Sequence, residues 1–421
     1  MQKLLSPSCQ HASRACARSS AGFTLVELMV ALSGGLFLSM VVFALARDST
    51  RFYQREGRLA SATLAGIVGF KRLTEDIARA GYLSTPNVQS DPRNCTPVAS
   101  LPAGLQTLAA VRITPDTPDL INSNAAFQLN KTSGQIIKPD QIVLSGSYAA
   151  TDDFAVASGA DGTTITLQTG TTSMARIGYL ATSDVHDQAN LLKNVFGADP
   201  GQILRLQDTS GMIYFGEIAA VTGGPNPSVT LKAPLPLMRA GLGTCGMRAT
   251  ARGSTANVVN IVRYRVMDLQ QDTDQGASWA PLFASSAGAA GETTRTELVR
   301  DQLSAQGTPI ANTTDIVAEY AVDMEFSVFG QLTAGNPPLT FSEPGSGTFT
   351  TFFTANGVGD RPQGVRAVRA RLSVRSREAD RTTNVSLAGG IYRFQIGAAE
   401  WARVRTFQTD VTLPNLREVT W

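Results

Sequence analysis

The chain has 421 residues, of which 43% are hydrophobic and 17% are charged, so it is long enough for more than one domain and apolar enough for a packed core. Its formal net charge of +2 excludes the strong overall positive charge that is typical of proteins binding nucleic acid through a basic surface. The 38 glycines and 20 prolines favour short strands joined by turns over a helical bundle.

The first 22 residues are basic, because they contain Lys3, Arg14 and Arg18 and no acidic residue. Without them, 33 basic and 34 acidic residues remain, which is close to neutral. Basic residues that precede an apolar segment favour a cytoplasmic N-terminus. We therefore expect the bulk of the chain to lie outside the cytoplasm.

Residues 23–46 form an apolar run in which Glu27 is the single charged residue. As a helix, the run would extend for about 36 Å, enough to cross a bilayer core of about 30 Å. A secretory signal peptide has a similar pattern, but this run is too long and no small-x-small cleavage site follows a short apolar core. A carboxylate inside a membrane is costly unless it has a partner. The alternative is that the Glu27 side chain extends to the edge of the membrane and needs no partner.

The segment Gly22-Phe23-Thr24-Leu25-Val26-Glu27 resembles the cleavage motif of type IV prepilins and type II secretion pseudopilins. The resemblance implies that a prepilin peptidase cuts after Gly22 and methylates the new N-terminal Phe23. It also implies that Glu27 pairs with the terminal amine of a neighbouring subunit, so that the two charges neutralise each other in lipid. The leader is long for this family, and no proline interrupts the span.

Residues 47–81 contain no proline and carry an apolar stripe at helical spacing. The stripe consists of Ile67, Phe70, Leu73, Ile77 and Ala80. Gly81 is a typical C-terminal stop. We predict an amphipathic stem helix over residues 47–81 that packs on a sheet. A free coiled coil is the alternative, which three glycines at positions 57, 66 and 69 disfavour.

Beyond Gly81 the pattern changes to short alternating apolar segments separated by turns. The predicted strands include residues 142–144, 163–169, 258–266, 322–328, 368–374 and 406–413. Residues 270–315 and 330–362 are polar and rich in turn residues, which predicts loops. The predicted fold class is α+β, with a long N-terminal helix on an antiparallel β-sheet and an additional β-rich insertion.

The chain divides into five predicted segments. They are a removed leader (1–22), a transmembrane helix (23–46), the amphipathic stem helix (47–81), a β-rich region with an insertion at about 95–250 (82–255), and a pilin-type core sheet (256–421).

Cys95 and Cys245 are the two cysteines that remain once residues 1–22 are removed. An even pair in an oxidising compartment predicts a disulfide, here at the base of the insertion. Two unpaired buried thiols are the alternative.

Within the family, four short segments are most similar to the PilW group of minor pilins: residues 73–82, 139–144, 365–375 and 407–416. This resemblance implies an inner-membrane subunit with a periplasmic C-terminal domain. Such a subunit joins other minor pilins, the major pilin and a large adhesin-like tip protein, and it primes fibre assembly. The alternatives are a type II secretion pseudopilin, although those are usually much shorter, and a tip adhesin that binds a surface or DNA through the insertion.

Catalytic chemistry is not expected, because His186 is the single histidine after the leader, and no cofactor or metal is predicted. Residues 184–187 and 272–276 contain oxygen ligands but are interpreted as a solvated loop and a turn. One charged pattern is a candidate anion-binding face, consisting of Arg369, Arg371, Arg375 and Arg377. The alternative is a row paired with acids such as Asp323 and Glu325. No aromatic residue alternates with the arginines, so nucleic acid is not expected as a partner.

Overall fold

The computed structural model describes residues 23–115, 138–159, 161–181, 184–197, 201–237, 245–247, 252–269, 279, 295–332, 339–354, 359–379, 393–397 and 400–419. It confirms the predicted α+β fold, in which a long N-terminal helix is followed by antiparallel strands. The chain forms two compact units, Met1–Gly57 and Arg58–Trp421.

The first helix is by far the longest of those described. The helices are α1 (Leu25–Arg79), α2 (Ala103–Gln106), α3 (Thr172–Arg176), α4 (Val185–Phe196) and α5 (Gly347–Phe352). Short 3₁₀ turns cover Val98–Ser100, Tyr179–Ala181, Pro362–Gly364 and Pro414–Leu416. The predicted transmembrane and stem helices are therefore one continuous helix. It ends before Gly81, whose φ of +79° is a backbone conformation that favours glycine.

The end of α1 packs against the strands that follow it in the chain. Leu73, Ile77 and Ala80 are fully buried, as the predicted stripe requires. Ile67 differs, because 48% of it is exposed. Gly69 faces the sheet instead, and a Cβ atom there would lie 2.6 Å from the carbonyl oxygen of Val317. At Gly69 the backbone of α1 lies too close to that of Val317 for a side chain to fit between them. The buried face of the helix therefore includes Gly69 and excludes Ile67.

Strands make up most of the remaining structure. They are β1 (Val111–Thr114), β2 (Gln141–Gly146), β3 (Phe154–Ser158), β4 (Thr164–Leu167), β5 (Ile203–Gln207), β6 (Ile213–Thr222), β7 (Ser228–Leu231), β8 (Thr255–Met267), β9 (Glu297–Leu303), β10 (Asp315–Ala318), β11 (Ala321–Gly330), β12 (Thr340–Ser342), β13 (Val365–Arg375), β14 (Arg393–Gly397) and β15 (Glu400–Thr412). Each of the predicted strands falls on one of these elements.

Among the described residues, ten strands form one sheet in which part of the ladder closes on itself. The pairings run β8–β3–β4–β7–β6–β5 and return to β8, so these strands form a small barrel. The second half of β8 leaves the barrel and pairs with β2 and β9. Closure pairs β5 with β8, so that β5 is not left as an unpaired edge strand.

The other described sheet has five strands in the order β12–β11–β13–β15–β14. Its inner face carries the alternating apolar residues of β11 and β13, which are buried against the end of α1. This cluster, with side chains from β2, β8 and β14, is the main core. A second cluster fills the barrel and includes Phe154, Phe196 and Tyr214.

The long strand β8 pairs with strands on both sides of the predicted boundary at residue 255. Its partners β2, β3 and β5 belong to residues 82–255, whereas β9 follows in the chain. The five-stranded sheet lies within residues 321–412. The division into an insertion and a core at residue 255 stays a prediction, but hydrogen bonding is continuous across it.

The predicted loops contain regular structure. Strand β9 lies within residues 270–315, and β12 and α5 lie within residues 330–362. In β9, the apolar residues Leu298 and Val299 are buried, and so are the charged residues Glu297, Arg300 and Asp301. Because of these charges, the sequence of the strand lacks the alternation of apolar and polar residues that predicts a strand. Its charges are satisfied by partners on other elements, which a local pattern does not reveal.

A buried polar network joins α1 to the ten-stranded sheet. Asp76 accepts hydrogen bonds from the Tyr264 hydroxyl at 2.7 Å and from Nε of Arg300 at 2.9 Å. The hydroxyl of Tyr148 donates to the backbone oxygen of Asp76 at 3.0 Å. Burial raises the pKa of Tyr264, and the carboxylate of Asp76 adds to the rise. The sequence pattern missed this role, although Asp76 lies three residues after Leu73 on the apolar stripe.

Candidate assembly site

The start of α1 carries the residues that the sequence singles out for processing and assembly. The backbone N–H of Thr24 donates to the Glu27 carboxylate at 3.0 Å, and the Thr24 hydroxyl donates to it at 2.9 Å. In return, Thr24 Oγ1 accepts a hydrogen bond from the Glu27 N–H at 3.2 Å. This reciprocal pattern is a capping box, for which Thr-x-x-Glu is the sequence signature. Glu27 therefore has a local role besides the assembly role that the family resemblance implies.

The capping box bears on how Glu27 is tolerated in a membrane. The carboxylate satisfies donors that a helix N-terminus leaves without partners, and it lies at the positive end of the helix dipole. Phe23, the predicted first mature residue, directly precedes Thr24 and is 82% exposed. Gly22, the predicted cleavage residue, lies outside the described residues, as do the rest of residues 1–22.

The part of α1 that directly follows Glu27 is apolar, and its side chains are exposed in the structure. Within Leu25–Gln54, the most apolar stretch of 18 residues has a mean hydropathy of 2.3, and none of that stretch is buried in the structure. By length and composition, this part of α1 can cross a membrane. It is therefore a candidate single-pass membrane anchor.

Cys95 and Cys245 are joined in the structure, with Cα atoms 5.3 Å apart. Both contact the barrel core, and Cys95 is buried. The bond connects the segment after the stem with the segment that precedes β8. Its position matches the pairing that the sequence predicts for the base of the insertion.

The arginine row on β13 is largely occupied by partners of its own sheet. Arg369 donates to both carboxylate oxygens of Asp410, at 2.7 and 2.9 Å. Arg371 donates to Asp323 at 3.3 Å and contacts Glu325. Asp323 and Glu325 are the acids that the alternative interpretation names, and with Asp410 they balance the positive charge that an anion would need.

The other two arginines do not extend this face. Arg375 is fully buried, with its guanidinium 5.0 Å from the ring centre of Tyr320 and 5.6 Å from that of Phe394. It is therefore not available to an anion at the surface. Arg377 lies beyond the end of β13, after the strand that was expected to align it. A period-two pattern cannot tell a buried cation from an exposed one.

The remaining candidates for chemistry have structural roles or lie outside the described residues. Asp184 is the N-cap of α4, because its carboxylate accepts hydrogen bonds from the N–H groups of His186 and Asp187 at 2.7 and 3.4 Å. Residues 272–276 are outside the described part of the chain. Within that part, no group of three or more His, Cys, Asp or Glu side chains is placed to hold a metal ion.

Glu297 predicts a pH dependence of stability. Its buried carboxylate contacts Arg295 and accepts a hydrogen bond from the Tyr320 N–H at 3.0 Å, with Glu319 nearby. Burial outweighs these partners and raises the pKa of Glu297 to about 7. A raised carboxyl pKa stabilises the fold at low pH, and this stability is lost as pH rises through 7. We expect the free energy of unfolding to be about 2 kcal/mol higher at pH 5 than at pH 8 from this group.

Urea titrations of the full chain in detergent micelles at both pH values test this expectation. Glu297→Gln removes the ionisation and should reduce the pH dependence by the share of Glu297, whereas Glu319→Gln, at an exposed neighbour, should preserve it. Burial also raises the carboxyl pKa of Asp323 to about 7. Asp323 therefore adds to the loss of stability as pH rises. Equal pH dependence in the wild type and Glu297→Gln would show that Glu297 is ionised throughout.

Comparison with known proteins gives little further information. No protein-family model matches the chain, and no curated protein matches it. Among solved structures, it is similar to the type IV-like pilin TTHA1219 from Thermus thermophilus, with 14% identity and a TM-score of 0.17. The match covers 58% of this chain and 100% of that chain. At that TM-score the match carries no weight, so the functional assignment rests on the residues of this chain.

Proposed function

We propose that the chain is a minor pilin of a type IV pilus. A prepilin peptidase removes residues 1–22 after Gly22 and methylates Phe23. The mature chain is then held in the inner membrane by the first half of α1, with the Arg58–Trp421 unit in the periplasm, until it enters the fibre. This role is structural and needs no catalytic residue.

One observation carries the proposal: the Gly22–Glu27 motif coincides with the start of α1 and of its uncovered apolar segment. A carboxylate at the fifth position of the mature chain is costly in lipid, and a neighbouring N-terminal amine would neutralise it. The capping box supports this role, because it holds Glu27 in place before a partner amine arrives. Exchange of these local hydrogen bonds for an ion pair would then accompany assembly.

The proposal extends to the place of the subunit. Similarity of four short segments to the PilW group supports a low-abundance subunit at the fibre tip, beside other minor pilins and an adhesin-like tip protein. The Arg58–Trp421 unit, with its barrel, is much larger than the soluble part of the usual pseudopilin, which favours the pilus over a type II secretion system. The paired arginines of β13 do not favour DNA as a ligand.

The decisive experiment is intact-mass and N-terminal peptide analysis of the membrane-extracted protein, from cells with and without their prepilin peptidase. We expect a chain that begins at methylated Phe23 only when the peptidase is present. Gly22→Val should block processing, whereas the same substitution at Gly34, where a Cβ meets no atom within 4 Å, should not. A cut at another position in both strains would identify a secretory signal sequence instead and refute the proposal.

A further inference from the structure

Two cavities of the Arg58–Trp421 unit meet at one ion pair. The first has a volume of about 430 Å³ and the second about 490 Å³, and Glu217 and Lys232 line both. Glu217 is on β6 and is buried, whereas Lys232 directly follows β7 and its side chain is 44% exposed. Each volume is within the range of sites for small ligands. We call the two neighbouring cavities, with the ion pair between them, the cleft.

One half of the cleft has a wall of mixed polarity, the turn between β9 and β10. Its polar lining residues are Ser304, Gln306, Thr308 and Asn312, and its apolar ones are Pro309, Ile310 and Ala311. Nε2 of Gln306 donates to Glu217 at 3.2 Å. The carbonyl oxygen of Gln306 and the amide of the exposed Asn312 are directed to no partner within the described part of the chain. Side-chain amides of this kind pair well with peptide groups, since each offers a donor and an acceptor.

The turn that forms this wall is held in place before any ligand arrives. The hydroxyls of Ser304 and Thr308 are 2.9 Å apart, and the N–H of Gln306 donates to Ser304 Oγ at 3.2 Å. The N–H of Ala305 donates to the carbonyl oxygen of Gly201 at 2.8 Å, which fixes the turn to the start of β5. A preformed wall lowers the entropy that binding costs.

The other half of the cleft is apolar. Its floor consists of the buried side chains Leu101, Phe215 and Leu235. Four prolines line it as well, at positions 97, 102, 234 and 236. Proline has a fixed φ, so these walls lose little freedom when a ligand binds. Phe215 is only 2% exposed, so its ring has no open face on which the ring of a sugar ligand could stack.

The charges at the centre of the cleft balance. Glu217 is the partner of Lys232 in the described part of the chain, and it occupies one of the three ammonium protons. The other two ammonium protons suit a neutral carbonyl oxygen of a ligand better than an anionic group, because the ion pair has no net charge to attract an anion. The cleft therefore combines a neutral half of mixed polarity with an apolar half.

We propose that this cleft binds an extended peptide segment of a partner protein. An apolar side chain of the segment enters the proline-lined half, and its backbone carbonyl oxygens accept hydrogen bonds from Lys232 and Asn312. The carbonyl oxygen of Gln306 accepts a peptide N–H. This site uses neither α1 nor the processing motif, so it stands or falls independently of the assignment as a minor pilin.

The test uses the full-length protein in detergent micelles and a pool of random octapeptides, acetylated and amidated so that their termini are uncharged. Ser100→Trp fills the apolar half, because Ser100 is exposed and lines it. Ala99→Trp is the matched control, since Ala99 is exposed on the same 3₁₀ turn but does not line the cavity. Lys232→Gln keeps a donor for Glu217 and removes the ammonium.

We expect wild type and Ala99→Trp to retain the same peptides, enriched in one apolar position, with affinities that change little with salt. Ser100→Trp should weaken binding at least tenfold at an unchanged unfolding midpoint, and Lys232→Gln should weaken it about fivefold. Equal retention by Ser100→Trp, or no retained peptide in the wild type, would overturn the proposal.

Discussion

Replacing Asp76 with alanine is expected to lower the free energy of unfolding by about 3 to 5 kcal/mol. Asp76 is the partner of Arg300 and of the Tyr264 hydroxyl, and all three side chains are largely buried. Alanine leaves the Arg300 guanidinium in the interior without its carboxylate, and an uncompensated buried charge costs far more than a lost surface ion pair. Urea titration of the full chain in detergent micelles, followed by circular dichroism, measures the change.

Glu75→Ala is the matched control, one residue away on the same helix. The Glu75 side chain is 62% exposed and pairs only loosely with Lys71, at 3.7 Å. It should change the free energy of unfolding by no more than about 0.5 kcal/mol. Replacing Asp76 and Arg300 together with leucine should recover much of the loss, because no charge is then left buried. Equal effects of Asp76→Ala and Glu75→Ala would show that the network does not stabilise the stem.

Removing the disulfide is expected to cost about 2 to 5 kcal/mol. Cys95 and Cys245 are separated by 150 residues, so the bond closes a long loop in the unfolded chain and removes much of its conformational freedom. The loop contains five of the six barrel strands, from β3 to β7. The unfolding midpoint of the oxidised protein should therefore lie well above that of the double variant Cys95→Ala/Cys245→Ala.

The reduced wild type separates the bond from the side chains. It keeps both sulfur atoms in the barrel core, so the difference between oxidised and reduced protein isolates the cross-link. We expect most of the loss in the double variant to appear on reduction alone. If reduction leaves the stability unchanged while the variant loses it, packing of the sulfur atoms is the cause, and the loop-closure explanation fails.

Local signals predicted the elements that depend on local physics. The uninterrupted run from Phe23 to Ala80 specified α1, because a helix needs only suitable residues and no breaker. Alternating residues in β11 and β13 predicted strands whose apolar faces are buried, since neighbouring side chains of a strand point to opposite sides. Strand β9 was missed because charged residues at buried positions hide the alternation.

The sequence by itself determined the apolar helix with its one carboxylate, the stem that follows, the strand-rich remainder and the cysteine pair. These features follow from composition, from period and from the number of cysteines available. Only the tertiary structure decided that the strands around β8 close into a barrel and that Asp76 meets Arg300, 224 positions along the chain. It likewise brought Glu217 and Lys232 to the centre of a cleft. Such contacts join distant segments, and their energies depend on burial and on partners that no local pattern contains.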